Sequence, residues 1–266
     1  MKNNDYPVGI FDSGIGGLTV LKEVCRILPG ENIIYLGDTA RVPYGIRSAE
    51  TVTRYSFECI QFLIQKNIKL LVIACNTVSS TSLKEIRKSL HIPVIGVIEP
   101  GARASVAMTK NKKIGVIGTE ATIKSKAYSR VIRSLSEDIE VYEFACPLFV
   151  PLAEEGWTDD IIARLVAERY LSTLRDSGVD SIVLGCTHYP LLKNVIQEVM
   201  GSASIIDSAI ETSMVVKAVL VENGLLRETG IASKIKYYVT DSPEKFVTVG
   251  EKFLHDKIDD IEKIVL

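Results

Sequence analysis

The run Ser181-Ile182-Val183-Leu184-Gly185-Cys186-Thr187-His188 decides how this chain is read. Three aliphatic residues lead straight into Gly, Cys, Thr and His, and Tyr189-Pro190 then stops the strand. An apolar run without polar alternation fits a strand buried on both faces of a sheet. A buried strand that ends in nucleophilic and polar side chains is where an open α/β sheet carries its chemistry. The same grammar occurs earlier, where Leu70-Leu71-Val72-Ile73-Ala74 runs into Cys75-Asn76-Thr77. Two strand ends therefore each deliver a small residue, a cysteine and a threonine.

Working outward, apolar runs and helical periodicities alternate along the chain. Pro7 to Phe11 reads as a first strand ending at Asp12-Ser13, and Gly14-Ile15-Gly16-Gly17 turns it into a helix bearing Leu18, Leu21, Val24, Cys25 and Leu28. Asn32 to Leu36 is a second strand, and Ser48 caps a long amphipathic helix. Leu70 to Ala74 is a third strand, Ser79 to Leu90 a helix and Pro93 to Ile98 a fourth strand. After Glu99-Pro100-Gly101 the pattern restarts. A helix to Met108 leads to a strand at Ile114–Gly118, which ends in Thr119-Glu120-Ala121-Thr122. A helix to Leu135, a strand at Glu140–Ala145, a loop over Pro151–Gly156 and a helix from Asp159 to Ser177 follow. The opening strand and a helix from Leu191 to Met200 come next, then a short strand at Ile205-Ile206. A helix to Asn223, a strand at Ile235–Val239 and a helix from Pro243 to His255 complete the pattern.

This alternation predicts an α/β protein made of two similar domains, each a mostly parallel sheet flanked by helices. The first domain takes residues 1–98 plus 208–266 and the second 99–207, because the chain after Asp207 is too short for a third unit. The crevice between two sheets whose strand ends face each other is a natural small-molecule site.

Bulk properties narrow the class. The 266 residues are 47% hydrophobic and 24% charged, a composition with ample core that argues against disorder. A net charge of −2 offers no bulk attraction to nucleic acid or to an anionic membrane, and Lys110 to Lys113 reads as a solvated turn. No apolar run approaches the ~20 residues that span a bilayer, and Met1 to Asp5 lacks the apolar stretch of a signal peptide, so a cytoplasmic location is expected. In that compartment Cys25, Cys59, Cys75, Cys146 and Cys186 are expected as thiols rather than a disulfide framework. Cys25 and Cys59 fall within helical patterns and read as core.

A lone strand-end cysteine is commonly a small buried hydrophobe. Two in matching contexts shift the reading. If the halves face each other, the thiols flank one ligand from opposite sides, which suits removal of a proton from one face of a carbon and delivery of a proton to the other. Thiolate is the active base, so cations, helix N-termini or hydrogen bonds must favour it on one side while the other thiol stays protonated. Asp12 at the end of the first strand and His188 after Cys186 can both point into the crevice; a hydrogen-bonded loop histidine is the plainer reading of His188. The glycine turn at Gly14–Gly17 also suits a bound phosphate or carboxylate, although it is not G-x-G-x-x-G and lacks the P-loop Lys-Ser/Thr. A thiol hydrolase using Cys186 with His188 would leave Cys75 and its matching context unexplained.

Several long segments resemble the bacterial glutamate racemases. Phe11 to Val20 and Gly37-Asp38-Thr39-Ala40-Arg41-Val42-Pro43-Tyr44-Gly45 resemble the family's first two signatures. Ala74-Cys75-Asn76-Thr77 and Leu184 to Leu191 resemble its two catalytic segments, and Tyr238 to Pro243 its C-terminal block. The resemblance spans nearly the whole chain in order. It implies a cofactor-independent racemase, without a metal, that interconverts L- and D-glutamate and supplies D-glutamate for peptidoglycan, in a protein that is commonly a homodimer. An aspartate racemase on the same fold is the nearest rival, and the long N-terminal signature argues against it.

Carried over by position, Cys75 would be the base acting on D-glutamate and Cys186 the base acting on L-glutamate. Asp12 would assist near Cys75, and Glu154 and His188 near Cys186, with Glu155 adjacent to Glu154. Ser13, Tyr44, Gly45, Asn76, Thr77 and Thr187, together with Asp12 and His188, would bind the substrate's carboxylates and amino group. Thr119 and Thr122, at the strand end of the second half, are further candidates.

Overall fold

The computed structural model describes residues 3–227 and 233–266. Met1 and Lys2 of the segment read for a signal peptide lie outside the described residues. The strands are β1 (Val8–Asp12), β2 (Ile33–Gly37), β3 (Leu70–Ile73), β4 (Val94–Gly96), β5 (Lys113–Gly118), β6 (Glu140–Ala145), β7 (Ser181–Gly185), β8 (Ser204–Asp207), β9 (Ile235–Val239) and β10 (Ile261–Lys263). Between them run α1 (Leu18–Ile27), α2 (Ala49–Gln65), α3 (Asn76–Thr81), α4 (Leu83–Ser89), α5 (Ile98–Met108), α6 (Glu120–Ser125), α7 (Ala127–Leu135), α8 (Phe149–Glu155), α9 (Ile161–Asp176), α10 (Lys193–Met200), α11 (Ser208–Glu222) and α12 (Pro243–Leu254).

The strands form two sheets, one ordered β10-β9-β2-β1-β3-β4 and the other β6-β5-β7-β8. Every pairing in both is parallel. The central strands β1, β3 and β7 are buried along their whole length, which is why their sequences carry aliphatic side chains on both faces. On one face of the larger sheet α1, α11 and α12, the last through Phe246, cover Ile10, Val72 and Val239; on the other α2 and α4 cover Phe11, Leu36, Leu71 and Ile73. The smaller sheet is sandwiched in the same way. Leu171, Leu174, Ile182 and Leu184 pack on one side, and Ala102, Val116, Tyr128 and Val183 on the other.

Side-chain caps set several helix starts. Ser48 accepts from Thr51 N–H at the head of α2, Asp160 from Ala163 N–H at α9 and Thr119 from Thr122 N–H at α6. Other boundaries depart from the sequence reading. The helix expected from Ser79 begins three residues earlier, at Asn76, with Cys75 as its N-cap residue, and Ser82 breaks it into α3 and α4. The segment read as a loop around Pro151 is the helix α8, because a proline in the first helical turn removes only an N–H that has no intrahelical partner. For the same reason Pro100 sits in the first turn of α5, which starts at Ile98 and trims the fourth strand to Val94–Gly96. A left-handed Lys126 divides the helix expected up to Leu135. The edge strand β10 had no counterpart in the expected pattern. Of the two cysteines read as core, Cys59 is buried and Cys25 half-buried. All five cysteines are free thiols. Among the described residues no helix is long and apolar enough to cross a membrane.

Candidate active site

Three strand ends meet at one cavity between the sheets, Cys75 after β3, Thr119 after β5 and Cys186 after β7, with Asp12 of β1 behind its wall. The cavity they enclose measures ≈ 40 Å³. Its walls include Ser13, Tyr44 and Gly45, then Cys75, Asn76 and Thr77 from the larger-sheet side, and Thr119, Cys186, Thr187 and His188 from the smaller-sheet side. Both thiols are almost fully covered, Cys75 at 5% exposure and Cys186 at 6%.

On the larger-sheet side Cys75 Sγ donates to Ser13 Oγ at 3.4 Å. Burial, reinforced by the carboxyl of Asp12, pushes the Cys75 thiol up to about 12, while Ser13 and the Val78 N–H pull the other way. Negative charge on Cys186 raises it further. Asp12 is fully buried and stands behind the cavity wall rather than in it. One carboxyl oxygen accepts from Gly14 N–H at 2.9 Å, and the other has no partner. Burial moves the Asp12 pKa upward against the opposing charge of His188, so this carboxyl retains its proton more readily than a free one.

The smaller-sheet side is built differently. Cys186 Sγ lies 3.8 Å from His188 Nδ1, and His188 Nε2 lies 3.2 Å from Glu154 Oε1. Burial opposes the charged imidazole, but its bonds to Cys186 and Glu154 prevail and push His188 up to about 10. Glu154 moves below the usual carboxylate range, chiefly through its bond to His188. The neighbouring Glu155 is exposed, so Glu154 is the carboxylate that reaches the imidazole. Glu154, like Asp12, stands behind the wall.

The two halves meet tightly here. A Cβ added to Gly16 would fall 2.3 Å from Thr187 Oγ1 and 2.5 Å from the His188 ring, so only glycine admits this approach. Thr19 Oγ1 donates to Thr187 O at 3.0 Å, tying the turn after β7 to α1. A Cβ at Gly45 would come within 2.8 Å of Thr119 Cβ. Thr77 and Thr119 hydroxyls lie 3.1 Å apart across the crevice. Thr122 is buried beside Thr119, with 3.1 Å between hydroxyls, and does not line the cavity.

The Tyr44 hydroxyl donates to the buried Asp38 carboxylate, which also accepts from Thr240 Oγ1 and Arg41. Val42, Pro43 and Val150 complete the wall and were not singled out from sequence. Val42 and Pro43 lie inside a quoted signature, whereas Val150 had only an apolar side chain to mark it.

Comparisons with known proteins agree with one another. The profile of a family described as Asp/Glu/Hydantoin racemase matches residues 16–213. The chain is 55% identical over 260 residues to the glutamate racemase of Geobacter metallireducens, covering 97% of this chain and 96% of that protein. Its fold superimposes on the crystal structure of glutamate racemase isoform RacE1 from Bacillus anthracis with a TM-score of 0.96 at 39% identity, over 99% of this chain and 98% of that one. The Francisella tularensis glutamate racemase, solved in complex with D-glutamate, gives a TM-score of 0.93 at 40% identity, over 98% of each chain.

Proposed function

The chain belongs to the Asp/Glu/Hydantoin racemase family and is an isomerase, and from that premise we propose that it interconverts L- and D-glutamate without a cofactor. The observation that carries the reading is the pair of buried cysteines, each after a parallel strand of a different sheet, lining one cavity between the halves. The identity to glutamate racemases over nearly the full length supports glutamate as the substrate.

In this reading one thiolate takes the α-proton, breaking C–H and forming S–H, while the opposite thiol gives its proton to the other face of the same carbon. Cys75 acts on D-glutamate and Cys186 on L-glutamate. That negative charge on Cys186 raises the Cys75 pKa supports a site with one thiolate at a time. An amino-acid α-proton is very weakly acidic without an electron sink, so the carbanion-like transition state needs fixed donors around the carboxylate. Ser13, Tyr44, Gly45, Thr77, Thr119 and Thr187 line the cavity, which supports them as these donors, while Asn76 is read as a carboxylate-binding donor. Asp12 supports the Cys75 side. His188, braced by Glu154, supports the Cys186 side by placing a cation against negative charge on sulfur.

The proposal extends to a supply of D-glutamate for peptidoglycan, a cytoplasmic location and a homodimer. Its domains are 1–98 plus 208–266 and 99–207, a division supported by the return of β9 and β10 to the larger sheet. The test is incubation with L-glutamate in deuterium oxide without added cofactor. D-glutamate carrying deuterium at the α-carbon is expected; no D-glutamate over a long incubation would overturn the assignment.

A further inference from the structure

Tyr128, on α7, belongs to the smaller-sheet half, yet its hydroxyl donates to Asn76 Oδ1 at 2.7 Å, at the start of α3 in the other half. Both residues are almost fully buried, Tyr128 at 1% and Asn76 at 2% exposure. Asn76 lines the cavity, and its Nδ2 is a buried donor without a partner. A buried amide donor left unmatched costs free energy, so a native structure that keeps one on a residue lining a cavity has a use for it there.

An asparagine amide has two faces of nearly equal shape, and its environment alone decides whether the carbonyl or the NH₂ points into the site. Here the phenol decides. Burial pushes the phenol pKa up, so the hydroxyl keeps its proton, and the bond it makes runs to Asn76 Oδ1. With the amide turned over, that proton would lose its acceptor and a carbonyl oxygen would face an anionic ligand. The ring has a fixed seat. A Cβ at Gly185 would meet it at 3.2 Å and one at Gly101 at 3.6 Å, so the strand that ends at Cys186 leaves room for the tyrosine that reaches Asn76.

We propose that Tyr128 is a positioning residue that locks the Asn76 amide with its NH₂ toward a substrate carboxylate, and does so from the opposite half of the molecule. This rests on the reading of the cavity as a glutamate site. Because the contact crosses the crevice, the donor is preset only when the halves are together. The carboxylate contact is made in the ground state and the transition state alike, so its loss falls on KM rather than kcat.

The test is a double-mutant cycle on the whole enzyme with Tyr128→Phe, Asn76→Ala and the pair, following KM, kcat and Tm. Tyr128→Phe keeps the ring in its seat. It is expected to raise KM for both enantiomers by the same factor, roughly three- to ten-fold, the worth of one neutral hydrogen bond, with kcat changed less than about two-fold. Because enantiomers have equal free energy, kcat/KM must fall by the same factor in both directions, and with kcat nearly unchanged the two KM values rise together. In the Asn76→Ala background Tyr128→Phe should change KM no further, since nothing is left to orient. A lowered Tm with unchanged KM would overturn the proposal in favour of packing alone. An equal KM penalty in both backgrounds would overturn it too, since the tyrosine would then act by another route. A wild-type enzyme inert toward glutamate would instead refute the functional reading beneath it.

Discussion

The two cysteine-bearing strand ends share a backbone plan and differ in electrostatics. Cys75 lies beside a serine hydroxyl and a buried carboxyl, and that setting holds the proton on sulfur. Cys186 lies beside an imidazole whose far nitrogen is bonded to a carboxylate, and that setting supplies a cation. Symmetry of architecture thus does not bring symmetry of environment. In the proposed reading both sulfurs serve the same carbon, and each has a different neighbour to assist it, a carboxyl and a hydroxyl on one side and an imidazole on the other.

The comparison breaks most completely if either sulfur is dispensable. Cys75→Ala and Cys186→Ala should each lower racemisation by at least roughly 10³-fold while leaving the circular dichroism spectrum and Tm close to wild type. Near-normal turnover in either would refute a two-base site. His188→Asn removes the cation from one side alone and should reduce kcat by about 10²-fold, read in a steady-state assay of either enantiomer. Glu154→Gln keeps the shape of the brace but removes its charge, and a loss of about ten-fold is expected. An effect of Glu154→Gln larger than that of His188→Asn would mean the carboxylate acts other than through the imidazole.

The smallest expected effect is on stability against pH. His188 is held above the ordinary histidine value, so its bonds stabilise the fold fully below about 6.5 and are lost as pH rises through about 10. Glu154 is displaced downward, so its share is lost on acidification. The Tm difference between wild type and His188→Asn should therefore shrink as pH is raised toward 10. A difference that grows over that range would contradict the assignment of charge.

Much of this arrangement was legible in sequence because buried parallel strands announce themselves. The aliphatic runs of β1, β3 and β7 leave little choice of structure, and their polar ends mark the crevice. The short edge strand Ile261-Glu262-Lys263 carries one apolar residue and one pair of charges, and takes its strand character from pairing with β9. The α8 segment was obscured by Pro151, whose effect depends on its place in the helix rather than on its identity. Asp12, Cys75, Cys186 and His188 stood out as candidates because polar residues at strand ends are conspicuous. Tyr128 was not, since helical periodicity marks it as apolar surface to be covered and says nothing about where its hydroxyl ends. Contacts between the halves are set by tertiary approach, which no local pattern encodes.

The strand order also fixes a timetable. A chain made from residue 1 onward has all four strands of the smaller sheet once Asp207 has emerged, whereas β2 waits for β9, some two hundred residues later, to cover its outer edge. Until then Ile33-Ile34-Tyr35-Leu36 presents an unpaired apolar edge, the kind of template on which nascent chains join one another. The half that supplies β1 is the half whose sheet is completed last, and the growing polypeptide must keep that edge from the wrong neighbour until β9 emerges.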